Sequence, residues 1–290
     1  MGVTIGIPFY NAGDYLADSI RSVFAQTYKD WELILLDDGS TDQSLEIARS
    51  VRDPRVRVFS DGRNLKLAAR LNQITQMANF GLIARMDADD LMAPDRIQAQ
   101  VQVLREQSEI DLVSTGLISV DSNDSPIGAR WHISDTVDRG QLLWRRGCGI
   151  VHASVLGRRE WFLRNQYNPA MAIAQDYELW LRASRADDLK VRTLRQPLYY
   201  VRELASASPE KVLRSYRADR LSIWMHRKSV LELAVIGKSI TKSLALKAIV
   251  RAGRFDAVVK RRSMPIQDPE IVAKFKGDLD RIRATQVPGL

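Results

Sequence analysis

Four short apolar runs recur along the N-terminal third of the chain, and the helical patterns between them constrain the fold more than any other feature. The runs are "VTIGIPF" (3 to 9), "WELILLDD" (31 to 38), "RVRVF" (55 to 59) and "LIARMD" (82 to 87). Between the first two, Tyr15, Leu16, Ile20, Val23 and Phe24 repeat at helical spacing. A second helix is expected after "STDQS", where Ser40 or Thr41 can cap it, and a third through Leu67, Leu71, Ile74 and Met77. Strands joined by helical crossovers pair in parallel, so the pattern predicts an α/β fold with helices on both faces of a mainly parallel sheet. A helix opened by Pro94 and the strand-like "IDLVSTG" (110 to 116) continue the alternation. The sequence is less regular up to about Tyr200, and residues 208 to 275 read as helices.

In such sheets ligands sit beyond the C-terminal strand ends, so the residues that follow each strand carry the chemistry. Here they are "PFYN" (8 to 11), "DDGSTD" (37 to 42), "DGRN" (61 to 64) and "DADD" (87 to 90), all polar and three of them acidic. Neither the G-x-G-x-x-G of a dinucleotide fold nor the G-x-x-x-x-G-K-[ST] of a P-loop occurs anywhere in the chain. The sharpest signal is Asp87, Asp89 and Asp90 crowded at one strand end, where like charges repel and require compensation. A divalent cation clasped by carboxylates is the natural way to hold a pyrophosphate without a glycine cradle. An EF-hand is excluded, because Leu91 falls at the fifth loop position, Met92 replaces the required glycine and Gln98 the closing glutamate.

The chain has 290 residues, 45% hydrophobic and 27% charged, ordinary globular values. One cysteine, Cys148, excludes an internal disulfide framework and fits a reducing cytoplasm. The N-terminal "MGVTIGIPFYN" lacks the basic flank and apolar core of a signal peptide, and no apolar run approaches the ~20 residues that span a bilayer. A soluble or surface-attached cytoplasmic protein is expected. The net charge of +8 is uneven: from Lys211 onward 18 Lys/Arg face 7 Asp/Glu, so the residues before it are net acidic. With no basic stripe or nucleic-acid-binding signature in that acidic part, nucleic acid is not an expected partner. In the tail, Leu233, Ile236, Ile240, Leu244 and Ala248 repeat at helical spacing with Lys238 and Lys242 opposite, followed by Arg251, Arg254 and "KRR" at 260 to 262. This pattern fits peripheral attachment to an anionic inner membrane face, and equally a helix packed on the domain with its lysines in water.

Taken in order, "TIGIPFYNAGDYLADSIRSVFAQTYKDWELILLDDGSTDQSLEIA", "NLKLAARLN", "ARMDADDLMAPDRIQAQVQVL", "QDYELWLR" (175 to 182) and "LYYVRELASAS" (198 to 208) resemble the family 2 glycosyltransferases of GT-A fold. The resemblance covers about residues 3 to 208. It implies a transfer domain over 1–208, with a nucleotide-sugar half (1–110) and an acceptor half (111–208), followed by a basic helical region over 209–290. It also implies a metal-dependent, inverting transfer of a sugar from a nucleotide-diphosphate donor, a UDP-sugar first, to a hydroxyl of a glycan or lipid-linked acceptor of a bacterial surface polysaccharide.

Residue by residue, the D-x-D carboxylates correspond to Asp87 and Asp89. Asp89 would bind Mn2+ or Mg2+, and Asp87 the metal or the donor ribose. Pro8, Tyr10, Asn11 and Asp38 would form the nucleoside pocket, with Asp38 accepting from the base, and Asn64 would lie near the donor. Asp176 would be the general base. Arg202 would steady the departing diphosphate; His152, near the metal or acceptor, and Trp180 are acceptor-side candidates, His152 equally a buried structural histidine and Trp180 equally a core residue. The chain departs from the family pattern in three places: Lys66 where glycine is usual, Gln175 where glutamate usually precedes the base, and Leu204 where histidine is common. Two other readings are a nucleotide-sugar-binding protein without turnover, to which Gln175 and Leu204 point, and a basic membrane adaptor resting on the tail.

Overall fold

The computed structural model describes residues 1–132, 134–144, 149–202, 208–255, 266 and 268–290. The four expected runs form strands β1 (Val3–Phe9), β2 (Trp31–Asp37), β3 (Val56–Ser60) and β4 (Leu82–Arg85). They lie side by side in the order β3-β2-β1-β4, all parallel. Every residue of β1, β2 and β4 is buried. That explains continuous apolar runs in place of alternation, since crossover helices cover both faces of a parallel sheet. Helix α1 (Leu16–Phe24) buries Leu16, Ile20 and Val23, and α3 (Lys66–Met77) buries Leu71 and Ile74.

Helix α2 (Ser44–Ser50) starts later than expected, and neither Ser40 nor Thr41 caps it. Asp42 takes that part, accepting the Ser44 N–H at 3.0 Å. Ser40 and Thr41 instead bond Asn11, tying the loop after β1 to the loop after β2.

Beyond β4 the sheet changes character. Its full order is β3-β2-β1-β4-β8-β6-β9-β5, with β7 beside β6. Strand β6 (Leu112–Val120) was legible as "IDLVSTG", but β5 (Leu91–Met92), β7 (Pro126–Arg130), β8 (Leu156–Arg158) and β9 (Val191–Arg202) were not. The twelve-residue β9 runs parallel to β6, and its register shifts around Gly116, opposite Pro197. A proline at an irregularity is tolerated in a sheet and obscures the strand in the sequence. Helix α4 (Arg96–Glu106) follows β5 and fixes the acceptor half. Its fully buried Gln100 donates to Val113 O at 2.7 Å and Ser154 O at 2.8 Å, pinning β6 to the turn that carries His152.

The irregular segment holds α5 (Arg139–Trp144), α6 (Arg159–Arg164) and α7 (Gln175–Arg185). After β9, helices α8 (Pro209–His226) and α9 (Leu233–Arg251) form an antiparallel pair, with α8 against α7 and Arg220 bonded to Ser239 and Ser243. The last helix, α10 (Pro269–Ala284), runs past the expected 275 and returns to the sheet. Its Phe275 meets Tyr200 edge-on at 4.9 Å, and Leu279 and Ile282 share a core with Leu91 and Ile118.

The start of α3 is held by Asp38, which accepts the backbone N–H groups of Leu65 at 2.7 Å and Lys66 at 3.1 Å and the Arg70 Nε at 2.8 Å. Arg70 is 1% exposed and reaches on to Asp61 at 2.7 Å, so the ends of β2 and β3 and the start of α3 form one network. This geometry places Lys66 at φ +70°, in the left-handed region. There a Cβ costs roughly 1–2 kcal/mol and glycine nothing, apart from glycine's greater freedom when unfolded. Replacing Lys66 with Gly should therefore raise the unfolding free energy by about 0.5–1 kcal/mol, while Lys66→Val should lower it by at least as much. Urea unfolding of both variants checks this, and a loss of stability in the glycine variant would show that the lysine side chain itself holds the loop.

Candidate active site

The carboxylate turn begins where β4 ends at Arg85, two residues before Asp87. Asp87 and Asp89 are half-buried and Asp90 is 4% exposed. Burial, and then the charge of Asp87, raises the pKa of Asp89. Asp90 is pushed well above the ordinary carboxylate range by burial and by both neighbours, although its Oδ1 accepts the Arg202 backbone N–H at 3.0 Å. The crowded carboxylates therefore need positive charge beside them to stay ionised.

Part of the balance comes from a residue that the sequence reading passed over. Arg85 is 5% exposed and its Nη2 donates to Asp87 Oδ1 at 2.6 Å. A charged residue closing an otherwise apolar strand was the signal that could have found it. Its Nε is buried with no hydrogen-bond partner among the described residues. The charges of Asp87 and Asp176 both bear on Arg85, and those of Arg85, Asp176 and Asp87 on the buried Tyr167. Asp176 lies in the first turn of α7, half-buried beside Gln175. The residue before them, Ala174, stands at φ +57°, a strained entry to that helix.

His152 Nε2 lies 2.8 Å from the Tyr167 hydroxyl, and its ring packs against Tyr167 at 5.4 Å and Trp180 at 6.0 Å. Burial, and then the charge of Arg85, hold its pKa well below that of a free imidazole. It lines the wall behind Arg85 as a neutral group. Trp180 is 3% exposed and packs on Trp161 at 5.9 Å, so it is a core residue and offers no platform to an acceptor.

Arg202 also differs from expectation. Its guanidinium donates to Asp124 at 2.8 and 3.2 Å, to Asp18 at 3.3 Å and to the Asp89 carbonyl at 3.3 Å, and its side chain is 3% exposed. A group so committed supports the turn from below, with no face left toward a diphosphate. Leu204 lies outside the described residues.

The donor-side residues gather at the C-terminal ends of β1, β2 and β3. Pro8 is buried in β1 opposite Leu36, Tyr10 is 50% exposed, and Asn11 at φ +50° accepts the Thr41 N–H at 2.8 Å. Asn64 is exposed, and Asp38 is 6% exposed with both oxygens engaged as above. A recess of about 500 Å³ opens on the far side of Arg70, lined by Phe59, Asp61, Gln73, Gln76 and Gln166 among others, and contains none of the D-x-D residues. Among the described residues no three His, Cys, Asp or Glu side chains converge to hold a metal. Asp87 and Asp89 nonetheless suit a hard divalent cation: both are oxygen donors, and the remaining positions of such a cation are ordinarily filled by substrate oxygens and water.

The model of the family described as "Glycosyl transferase family 2" matches residues 4–164. A putative glycosyltransferase EpsE of Bacillus subtilis is 33% identical over 211 residues, covering 71% of this chain and 74% of that protein. A chondroitin synthase of Escherichia coli is 29% identical over 65% of this chain, which spans only 27% of that longer protein. In structure, S. aureus TarS 1-349 in complex with UDP superposes with a TM-score of 0.65 at 17% identity, over 98% of this chain and 83% of that one. The mannosyltransferase PcManGT from Pyrobaculum calidifontis, in complex with GDP-Man and Mn2+, gives 0.56 at 15% identity, over 99% and 76%. The parallel strands with their strand-end carboxylates, the mixed strands beyond them, and these matches together make the chain a member of glycosyl transferase family 2, a glycosyltransferase of GT-A fold.

Proposed function

We propose that this glycosyltransferase moves a sugar, with inversion, from a nucleotide-diphosphate sugar to a hydroxyl of a glycan or lipid-linked acceptor, and that a divalent cation, Mn2+ or Mg2+, takes part. The observation that carries the reading is the carboxylate turn at the end of β4, where Arg85 holds Asp87 at 2.6 Å, together with a separate carboxylate, Asp176, whose charge bears on the same buried arginine. A UDP-sugar is the favoured donor, supported by UDP and UDP-GlcNAc in the TarS complexes, with GDP-Man in the mannosyltransferase as the other precedent. The transfer unit is residues 1–208 together with α10, and the acceptor is of the bacterial surface-polysaccharide type. A cytoplasmic location, on or near the inner membrane face, agrees with there being no helix among the described residues long and apolar enough to cross a membrane.

In this reading Asp89 and Asp87 would hold the cation, which when bound would supply charge neutralisation to the leaving diphosphate. Arg85 keeps Asp87 oriented, and Arg202 keeps the turn itself in place through Asp124 and Asp18. Tyr10, Asn11 and the loop that Asp38 organises receive the nucleoside. Asp176 takes the proton of the acceptor hydroxyl as the oxygen attacks the anomeric carbon from the face opposite the leaving group. Neutral His152 and the Tyr167 hydroxyl close the wall beside it.

Two variants test the assignment. Asp89→Asn should fold at least as stably as the parent, because one buried like charge is gone, yet lose the stabilisation that Mn2+ and UDP together confer in a thermal-shift titration. An unchanged shift would remove Asp89 from the cation site. Asp176→Asn should keep that shift and lose turnover by about 10²- to 10⁴-fold, the contribution of a positioned general base. The parent's product, read by NMR, should have the anomeric configuration opposite to the donor's, and retention would overturn the mechanism.

A further inference from the structure

The basic tail was read as an amphipathic helix whose apolar stripe either packs inward or meets a membrane. In the α8–α9 pair the start of that stripe is half-buried, with Ile236 against the core, and its later part is exposed. Ile240 is 47% exposed and Leu244 59%, whereas Lys238, expected on the opposite, wet face, lies over the Trp144 ring at 4.9 Å on the body of the protein. On α8, Leu221 and Trp224 follow Arg217 at spacings of four and three and are 49% and 52% exposed. At the turn between the helices Val230 is 76% exposed and Leu231 84%. Arg217 and Lys247 flank Ile240 and Leu244 around one shallow recess. Scattered exposed apolar residues are ordinary, but a set this large on one helical hairpin is not.

The charge of the same element selects the partner. Residues 209–255 carry eleven Lys/Arg against three Asp/Glu, a net +8 equal to that of the whole chain. An isologous pairing of two copies through this face would bring two such elements together. An anionic bilayer attracts it instead, and the exposed set combines apolar side chains, a tryptophan and basic residues, the types found at a membrane interface. We propose that the outer face of the α8–α9 hairpin is a docking surface for an anionic lipid bilayer, with Trp224, Val230, Leu231, Ile240 and Leu244 entering the interface and Arg217 and Lys247 pairing with lipid phosphates. The surface deepens the inner-membrane placement proposed above and is independent of the chemistry assigned to Asp89 and Asp176.

Co-sedimentation of the full chain with vesicles of phosphatidylcholine alone, or with about a third phosphatidylglycerol, tests it. At 0.1 M salt the parent should pellet with the anionic vesicles and remain largely free of the neutral ones. At 1 M salt, where the Debye length falls from ~10 Å to ~3 Å, binding should drop more than tenfold. Trp224→Ser with Leu231→Ser, and separately Arg217→Glu with Lys247→Glu, should each lower binding more than tenfold while keeping the Mn2+–UDP thermal shift, which shows that the fold and donor site are intact. A parent that stays in solution with anionic vesicles at 0.1 M salt overturns the proposal, as do variants that pellet like the parent. So does sedimentation velocity showing a parent dimer that the serine variant dissolves, which would make the face a self-association surface. Loss of the thermal shift in the parent would instead count against the donor reading and leave the vesicle result standing.

Discussion

The contact between Arg85 and Asp87 is the one on which the rest of the site depends. Three carboxylates within four residues, two of them with raised pKa, would push a strand end apart or take up protons unless positive charge stood behind them. Arg85 supplies it from the last position of β4, and Arg202 from the end of β9 braces the same turn through the Asp89 carbonyl and Asp90. Buried charges of this kind add little to stability when paired and cost much when one partner is removed. Their effect is to fix where the carboxylates stand, and to do so from two strands that belong to different halves of the sheet.

That arrangement explains why so much of the donor half was legible and so little of the acceptor half. Strands β1 to β4 are local runs with a clear period, each followed by its own helix, and the chemistry sits in the residues just after them. Asp87 and Asp89 could be found from their position alone. Arg202 could be found but not understood, because Asp18 and Asp124, which hold it, lie 184 and 78 residues away. Trp180 remained undecided for the same reason, since helical spacing does not say that Trp161 waits on the other side. Strand β9 was hidden by Pro197 and by a partner, β6, from which it is separated by the whole irregular segment.

The departures from the family pattern divide by how much backbone they touch. Lys66 occupies a place where only the main chain is specified: Asp38 captures its N–H, the left-handed conformation survives, and the side chain is left exposed. The loop is preserved at the expense of local strain, because Asp38, Arg70 and Asp61 determine its path more strongly than one residue's preference does. Gln175 alters charge and leaves geometry alone, for α7 still begins at the strained Ala174 and still presents Asp176 in its first turn. With no second carboxylate beside it, Asp176 faces one like charge fewer than the usual pair would.

The sheet itself gives the site its place. Strand β4 pairs in parallel with β1 on one side and antiparallel with β8 on the other, so it is the seam at which the crossover half meets the mixed half. Loops on the two sides of such a seam diverge and leave a crevice beyond the strand ends, as at the switch point of other open α/β sheets. The carboxylate turn leaves from β4 at that seam, the loops after β1, β2 and β3 stand on its parallel side, and α7, which carries Asp176, belongs to the other half. In the proposed inversion the leaving group and the base stand on opposite sides of the reacting carbon. A sheet whose wholly parallel part meets a mixed part at a strand that ends in Arg85 offers one part to each.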